Sequence, residues 1–303
     1  MYKYLSTLTI FISAFLIFQI QPMLSKQLLP QFGGGASIWS ASLVFYQVML
    51  LIGYFYAHNM GRFHIKLQVV SHIVLVTFAT LIVVTEFAVP NLTNWPPALA
   101  VFVNLFIEIG PIFILLSATS VLLQRWYVQT ASAQVPYHWY SISNLGSLLA
   151  LISYPLVYEL LFSLEQQTTY WLFGLISYCL LLALLVIFLL KKAPDLSRAS
   201  IQTRPITLLK GKGQWLLLSA LSSAMLVSTT HMISTNIPPM PLLWSLPLVI
   251  YLLTFSYTFA NKANYQRHKW AYAFIFSAFA GLLMFYFGSL FNALAPLIIY
   301  SLI

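Results

Sequence analysis

Long apolar runs separated by short polar segments make up almost the whole chain. A helix needs about 20 apolar residues to cross the hydrocarbon core of a bilayer. The runs of that length are Leu5–Leu24, Ile38–Tyr56, Leu67–Val89, Ala98–Leu123, Tyr140–Leu161, Tyr170–Leu190, Trp215–Ile237, Leu242–Phe259 and Trp270–Gly288. A tenth run, Phe291–Ile303, would rise only about 20 Å as a helix. The pattern predicts an all-α, polytopic transmembrane bundle of nine complete spans and a partial tenth.

One polar segment, Lys191–Gly213, is much longer than the others and carries six Lys or Arg residues. It divides the chain into a first six-helix half at residues 1–190, a basic linker at 191–213 and an incomplete second half at 214–303. Six helices, a linker and further helices is the layout of two-fold repeat transporters. No internal sequence repeat accompanies it, so a solvated linker held near anionic lipid remains an alternative interpretation.

Charge is scarce and unevenly distributed. Hydrophobic residues make up 60% of the chain and charged residues 6%, against roughly 25% charged residues in soluble domains. The net charge of +9 would suggest nucleic acid in a soluble protein, but these charges lie in loops between apolar runs. With a cytoplasmic N-terminus, every Lys and Arg except Lys26 falls on the cytoplasmic side, as membrane topology requires. The lipid bilayer is the predicted partner, and nucleic acid is not.

Polar side chains inside the apolar runs are the candidates for a binding site, because each costs free energy at membrane depth unless it is satisfied. The hairpin Phe18–Tyr56 stands out, since its second helix is expected to bury Gln47 among Phe45, Tyr46 and Met49. The candidate substrate-binding residues are Gln19, Gln21, Gln47, Glu108, Asn144, His231 and Asn236.

Glu108 lies in the middle of the fourth run, three residues before Pro111. A carboxylic acid at that depth is protonated or paired, which makes it a candidate for proton or cation handling. The proline leaves the Ile107 carbonyl without its helical donor, which can help line a polar cavity. The alternative is a structural Glu bonded to a neighbouring amide.

The other candidates also allow two interpretations. Asn144 lies in a run of small residues, Ser141–Ser147, that suits close helix packing as well as hydrogen bonding. His231 could couple to protons or bond an interfacial carbonyl. Gly33–Gly35 could receive an anion beside Lys26 or form a turn. Glu159 is expected to reach the headgroups, and an aromatic belt is predicted for Trp39, Trp95, Trp126, Trp139, Trp215, Trp244 and Trp270.

Motifs of known enzyme chemistry are missing from the sequence. It contains no zinc-protease helix, Cys-x-x-Cys pair, Walker lysine, dinucleotide fingerprint or serine elbow. The single cysteine, Cys179, lies in an apolar run and is expected to be a packing residue. We therefore predict no catalytic residue, no metal site and no cofactor.

Three sequence blocks carry a family resemblance. The first runs through Ser13-Ala14-Phe15, Gln21-Pro22-Met23, Leu29-Pro30-Gln31-Phe32-Gly33-Gly34, Trp39, Phe45-Tyr46-Gln47 and Gly53-Tyr54-Phe55-Tyr56-Ala57-His58. The others are Ser143–Leu151 with Tyr154-Pro155, and Thr230-His231-Met232 with Pro241–Leu248 and Tyr251-Leu252. Together they resemble the membrane part of the bacterial fused major-facilitator/spermidine-synthase-like proteins.

The resemblance implies a major-facilitator-like layout in a bacterial inner membrane, with a synthase-like domain or protein as a cytoplasmic partner. That domain is absent from this sequence, so aminopropyl transfer by this chain alone is not expected. Asn236 stands where many relatives are expected to have an acidic residue. The loop Ala57–Arg62 lacks the Asp of major-facilitator transporters, which weakens the transporter label.

Three functions remain open from the sequence. The first is a transporter-like protein that binds a small polar or cationic solute in a cavity lined by the seven candidate residues. The second is the membrane half of a bipartite enzyme, which anchors or feeds the synthase-like partner. The third is a structural or assembly role in the membrane.

Overall fold

The computed structural model describes residues 2–32, 36–85, 92, 95–131, 138–196, 212–236, 241–260 and 266–287. All regular structure within these ranges is helical, as predicted. The chain divides into two compact units, Met1–Ala199 and Ser200–Ile303. The dividing point falls within the predicted linker, while the short run Phe291–Ile303 lies outside the described residues.

The first unit is built around a long N-terminal helix. Its helices are α1 (Tyr2–Phe32), α2 (Ala36–Met60), α3 (Ile65–Val84), α4 (Pro97–Glu108), α5 (Gly110–Ala131), α6 (His138–Ser153), α7 (Glu159–Leu161) and α8 (Leu164–Leu196), with a π-helical turn at Tyr154–Tyr158 between α6 and α7. Helix α1 packs against α5, α6 and α8. It contains Pro22 and Pro30, and this tertiary packing offsets the backbone hydrogen bonds that the prolines remove.

Helices α1 and α6 approach closely at a glycine. A Cβ added to Gly146 would lie 2.6 Å from the Phe11 carbonyl oxygen, and the neighbouring Ser147 is buried. The indole Nε1 of Trp171 on α8 donates to the Leu16 carbonyl of α1 at 3.0 Å. Of the two interpretations of Ser141–Ser147, the contact at Gly146 favours close helix packing.

Helices α2 and α5 meet through small residues four positions apart, Gly53, Ala57 and Gly61. A Cβ on Gly53 would overlap the Ser117 hydroxyl, and Ala57 is fully buried. Arg125 donates a hydrogen bond to the Gly61 carbonyl. Small residues at this spacing let two backbones approach, as in membrane helix pairs.

Among the described residues, six helical segments are long and apolar enough to cross a membrane: Tyr2–Phe32, Ser40–Met60, Ile65–Val84, Gly110–Thr130, His138–Leu161 and Leu164–Lys191. All six belong to the first unit, and they are compatible with a membrane protein. They match predicted spans one to three, five and six and part of span four. The complete count of nine spans and the major-facilitator-like layout stay predictions.

The second unit contains α9 (Lys212–Asn236), α10 (Pro241–Ala260) and α11 (Arg267–Phe287). These helices coincide with predicted spans seven to nine. Helix α9 packs against α10. Helix α11 exposes a series of large apolar side chains, as a lipid-facing helix does: Tyr272, Phe274, Ile275, Phe276, Phe279, Leu282, Leu283 and Tyr286.

Candidate functional site

The predicted fourth span is interrupted at Ile109. Helix α4 ends at Glu108 and α5 starts at Gly110, with Ile109 at φ −135° and ψ −15°, outside helical geometry. Pro111 lies at the second position of α5, where its missing N–H is tolerated because the first turn of a helix has no intrahelical acceptor. The Gly110 site leaves no room for a side chain, since a Cβ there would lie 2.7 Å from the Phe106 ring. The predicted continuous span is therefore two helices, which stay joined by hydrogen bonds from the Ile109 N–H to the Leu105 carbonyl and from the Phe113 N–H to the Ile109 carbonyl.

Four polar side chains lie around this interruption, and we call them the helix-break cluster: Ser25, Tyr46, Asn104 and Glu108. Asn104 and Glu108 are four residues apart on α4 and therefore share a face. The Tyr46 hydroxyl of α2 lies beside Ser25 and in the neighbourhood of Glu108. It donates a hydrogen bond to the Gln21 carbonyl of α1 at 3.2 Å. Three elements thus contribute polar groups to one region.

Hydrogen-bonding capacity is left over in the helix-break cluster. Asn104 is only 4% exposed, and its Oδ1 has no hydrogen-bond partner among the described residues. Glu108 is half-buried and accepts no hydrogen bond from the described part of the chain. A buried acceptor without a partner costs about 1–3 kcal/mol. The arrangement therefore favours a bound donor or cation.

The predicted site residues separate into different environments. Gln19 is 3% exposed on α1, while Gln21, Glu108 and Asn144 are half-buried. Within the helix-break cluster, Tyr46 lies near both the Gln21 carbonyl and Glu108. The side chains of His231 and Asn236 lie outside the described part of the structure, as does the Gly33–Gly35 loop.

The prediction that Gln47 is buried is wrong. Its side chain is exposed, whereas Phe45, Tyr46 and Met49 are all buried. Successive helical residues are rotated by about 100°, so the position after two core residues turns out of the core. Gln47 consequently does not belong to the helix-break cluster.

A second group of buried polar side chains, which sequence reasoning missed, joins α2, α3 and α5. We call it the inner network and define it as Tyr56, Gln68, His72 and Trp126. The Gln68 Nε2 donates to the Phe63 carbonyl at 2.7 Å, and its Oε1 accepts from Trp126 Nε1 at 3.0 Å. The Tyr56 hydroxyl and His72 Nδ1 are 3.2 Å apart. His72 is fully buried, and its Nε2 has no partner in the described ranges.

The sequence held a signal for this network. Gln68 and His72 are four residues apart in the third apolar run, so they share a helix face. Both lie near the start of that run. A polar pair at this spacing near a span end predicts partners on neighbouring helices as well as contact with water.

The expectation that Trp126 and Trp139 belong to an aromatic belt is wrong, because both are fully buried. Glu159 forms an ion pair with Lys26, with Nζ and Oε1 2.9 Å apart and both side chains about a third exposed. The pair joins α1 to α7, and the expected reach of Glu159 to the headgroups stays a prediction.

Metal binding finds no support in the described residues, where no three His, Cys, Asp or Glu side chains are grouped closely enough to hold an ion. Cys179 on α8 is half-buried, and its Sγ is 3.4 Å from the Thr80 hydroxyl. That contact agrees with a packing role.

The fold so described is an all-helical one with several helices suited to a bilayer. No family model matches the chain, and neither curated proteins nor solved structures give a match. The resemblance to major-facilitator/spermidine-synthase-like proteins therefore stays a prediction.

Proposed function

We propose that the protein is a transporter-like membrane protein that binds a small polar or cationic solute at the helix-break cluster. The observation that carries this proposal is the interrupted helix at Ile109, with the unpartnered Asn104 Oδ1 and the Glu108 carboxyl on its face. Discontinuous helices at membrane depth are a recurring feature of transporter binding sites.

The charge at this position selects for a cation or a hydrogen-bond donor. Because Pro111 has no N–H, the Ile107 carbonyl near the end of α4 lacks its helical donor and can accept from a bound donor or cation. Glu108 is the last residue of that helix, and its carboxyl can pair with the same cation. A cation or a protonated amine would interact favourably with both groups. An anion would be repelled.

The solute is expected to bind within the first unit. Glu108 and Asn104 come from α4, Tyr46 from α2 and Ser25 from α1. These residues belong to separate helices whose relative movement would open and close the cluster. The Lys26–Glu159 pair joins α1 to α7 and would resist such a movement.

The bipartite-enzyme and structural functions remain predictions. The inner network supports the structural role only for its own residues, because most of its polar atoms are paired with protein groups. In the helix-break cluster an interrupted helix and a carboxyl group accompany the unpaired Asn104 oxygen, which is the reason for preferring transport.

Flux through proteoliposomes tests the proposal. The full chain is reconstituted, and uptake of protons, Na⁺ and a small diamine is measured in separate assays against protein-free vesicles. We expect flux of at least one probe, and a loss of at least about tenfold in Glu108→Gln, which corresponds to about 1.4 kcal/mol. Gln47→Leu is the matched control, since it removes an exposed amide next to Tyr46.

Two results would count against the proposal. One is wild-type flux no greater than that of protein-free vesicles for all three probes. The other is equal flux in wild type and Glu108→Gln, which would separate any transport from the helix-break cluster.

A further inference from the structure

The second unit carries positive charge without any acidic residue. Between Ser200 and Ile303 the sequence contains six Lys or Arg residues and no Asp or Glu. Three consecutive basic or titratable residues, Arg267, His268 and Lys269, form the first turn of α11, and all three are exposed. Cations near a helix N-terminus are unfavourably placed relative to the helix dipole. No acidic side chain of the second unit is available to pair with this turn.

A cleft lies beside this turn, between the end of α10 and the start of α11. It has a volume of about 270 Å³ and is lined by Tyr257, Gln266, Lys269, Trp270 and Ala273. The Tyr257 and Trp270 ring centroids are 6.5 Å apart, with the ring planes at 59°. The volume is close to the lower end of the roughly 300–1,000 Å³ of small-molecule pockets.

The same face of α11 continues as an apolar strip. Gln266, Lys269, Trp270 and Ala273 follow helical spacing, and the next positions on that face include Phe276 and Leu283. These two side chains are 76% and 45% exposed. A basic, aromatic cleft therefore leads directly onto an exposed hydrocarbon surface.

We propose that this cleft binds the phosphate headgroup of an anionic phospholipid, with an acyl chain lying along α11. Lys269 attracts the phosphate, Tyr257 and Trp270 form the walls at headgroup level, and Phe276 contacts the chain. Tyrosine and tryptophan favour this depth in a bilayer because their rings are amphipathic. The predicted topology places the turn before α11 on the cytoplasmic side, where anionic lipid attracts basic segments.

A phospholipid fits the basic cleft and the apolar strip together better than other anions do. A free phosphate uses the lysine but leaves Phe276 and Leu283 without a partner. A soluble protein cannot reach side chains that lie within predicted span nine. The inference does not depend on the proposed solute site, because every residue that carries it belongs to the second unit.

Native mass spectrometry of the full chain in mild detergent tests the site. The protein is titrated with phosphatidylglycerol or with phosphatidylethanolamine, and the lipid-bound fraction is measured. We expect wild type to retain phosphatidylglycerol preferentially and Lys269→Gln to bind it about fivefold more weakly. Lys269→Arg keeps the charge and should bind within about twofold of wild type. Trp270→Leu removes one wall and should also weaken binding.

Arg267→Gln is the matched control, because it removes the same charge from the same helical turn outside the cleft. Retention of phosphatidylglycerol within about twofold of wild type in Arg267→Gln supports a local site. An equal loss in Arg267→Gln and Lys269→Gln would overturn the proposal in favour of general surface potential. Equal retention of the two lipids would also overturn it. So would displacement of phosphatidylglycerol by an equal concentration of soluble glycerol phosphate.

Discussion

The helix-break cluster and the inner network both place polar side chains between helices of the first unit, yet they differ in backbone continuity and in charge. In the inner network, Gln68 uses both ends of its amide, one to Phe63 and one to Trp126, while His72 Nε2 has no partner in the described ranges. In the helix-break cluster, the Asn104 oxygen is likewise without a partner there, but the helix is interrupted and Glu108 adds a carboxyl group. One unpaired buried atom does not distinguish a site from a structural network. The interrupted helix and the carboxyl group do.

The same difference separates rigid from adaptable packing. The inner network lies next to the small residues Gly53, Ala57 and Gly61, through which α2 and α5 approach closely. Close-packed helices have little room to move, because even a methyl group would overlap the facing helix. The helix-break cluster lies where α4 and α5 are separate helices. A change of angle there requires no loss of regular helix.

Gln68→Leu gives the largest expected effect on stability. The substitution leaves the buried Trp126 N–H without a partner, at a cost of about 1–3 kcal/mol, while the carbonyl of the exposed Phe63 can turn to water. We expect a loss of about 1–3 kcal/mol in denaturant unfolding of the purified protein. Gln47→Leu makes the same Gln-to-Leu exchange at an exposed position and should be close to neutral. A Gln68→Leu protein as stable as wild type would show that the inner network is not structural.

Asn104→Leu should act in the opposite direction. Removing an unpartnered buried oxygen relieves its desolvation cost, so we expect stability to stay constant or to rise by up to about 1 kcal/mol. Solute flux in proteoliposomes should fall at the same time. A loss of stability comparable to that of Gln68→Leu would mean that Asn104 is satisfied in the folded protein, and the contrast between the two regions would then disappear.

The Lys26–Glu159 pair should contribute least. Both side chains are about a third exposed, and ion pairs of this kind contribute about 0–1 kcal/mol. A double-mutant cycle of Lys26→Gln and Glu159→Gln is expected to give a coupling energy of about 0.5 kcal/mol that weakens in high salt. A coupling above about 2 kcal/mol would indicate a pair shielded from solvent, and α1 would then be held to α7 more firmly than proposed.

Local sequence predicted the helices much better than it predicted their contacts. Apolar runs such as Leu5–Leu24 and Tyr170–Leu190 form long helices. A helix satisfies its backbone hydrogen bonds within the segment, so a long apolar run is enough to predict one in a bilayer. The structure extends both helices past the runs into polar flanks, to Phe32 and Leu196. The hydropathy of a run does not show how far its helix continues beyond the hydrocarbon core.

The helix-break cluster was only partly predictable. Glu108 and Pro111 indicate its region, because an acid and a proline at membrane depth each need compensation. Tyr46, Ser25 and Asn104 carry no signal alone, since tyrosine, serine and asparagine are common in helices. The prediction that Gln47 is buried fails, because a single polar residue between apolar neighbours does not reveal which way it faces.

By itself the sequence determined that the chain is helical, that its helices suit a bilayer, and that Glu108 lies in an apolar segment. Each of these depends on neighbours along the chain. Tertiary structure alone decided that Gln68 bonds Trp126 and that Lys26 reaches Glu159. Those outcomes depend on which side chains from distant segments arrive at hydrogen-bonding distance, and hydropathy along one chain does not encode that pairing.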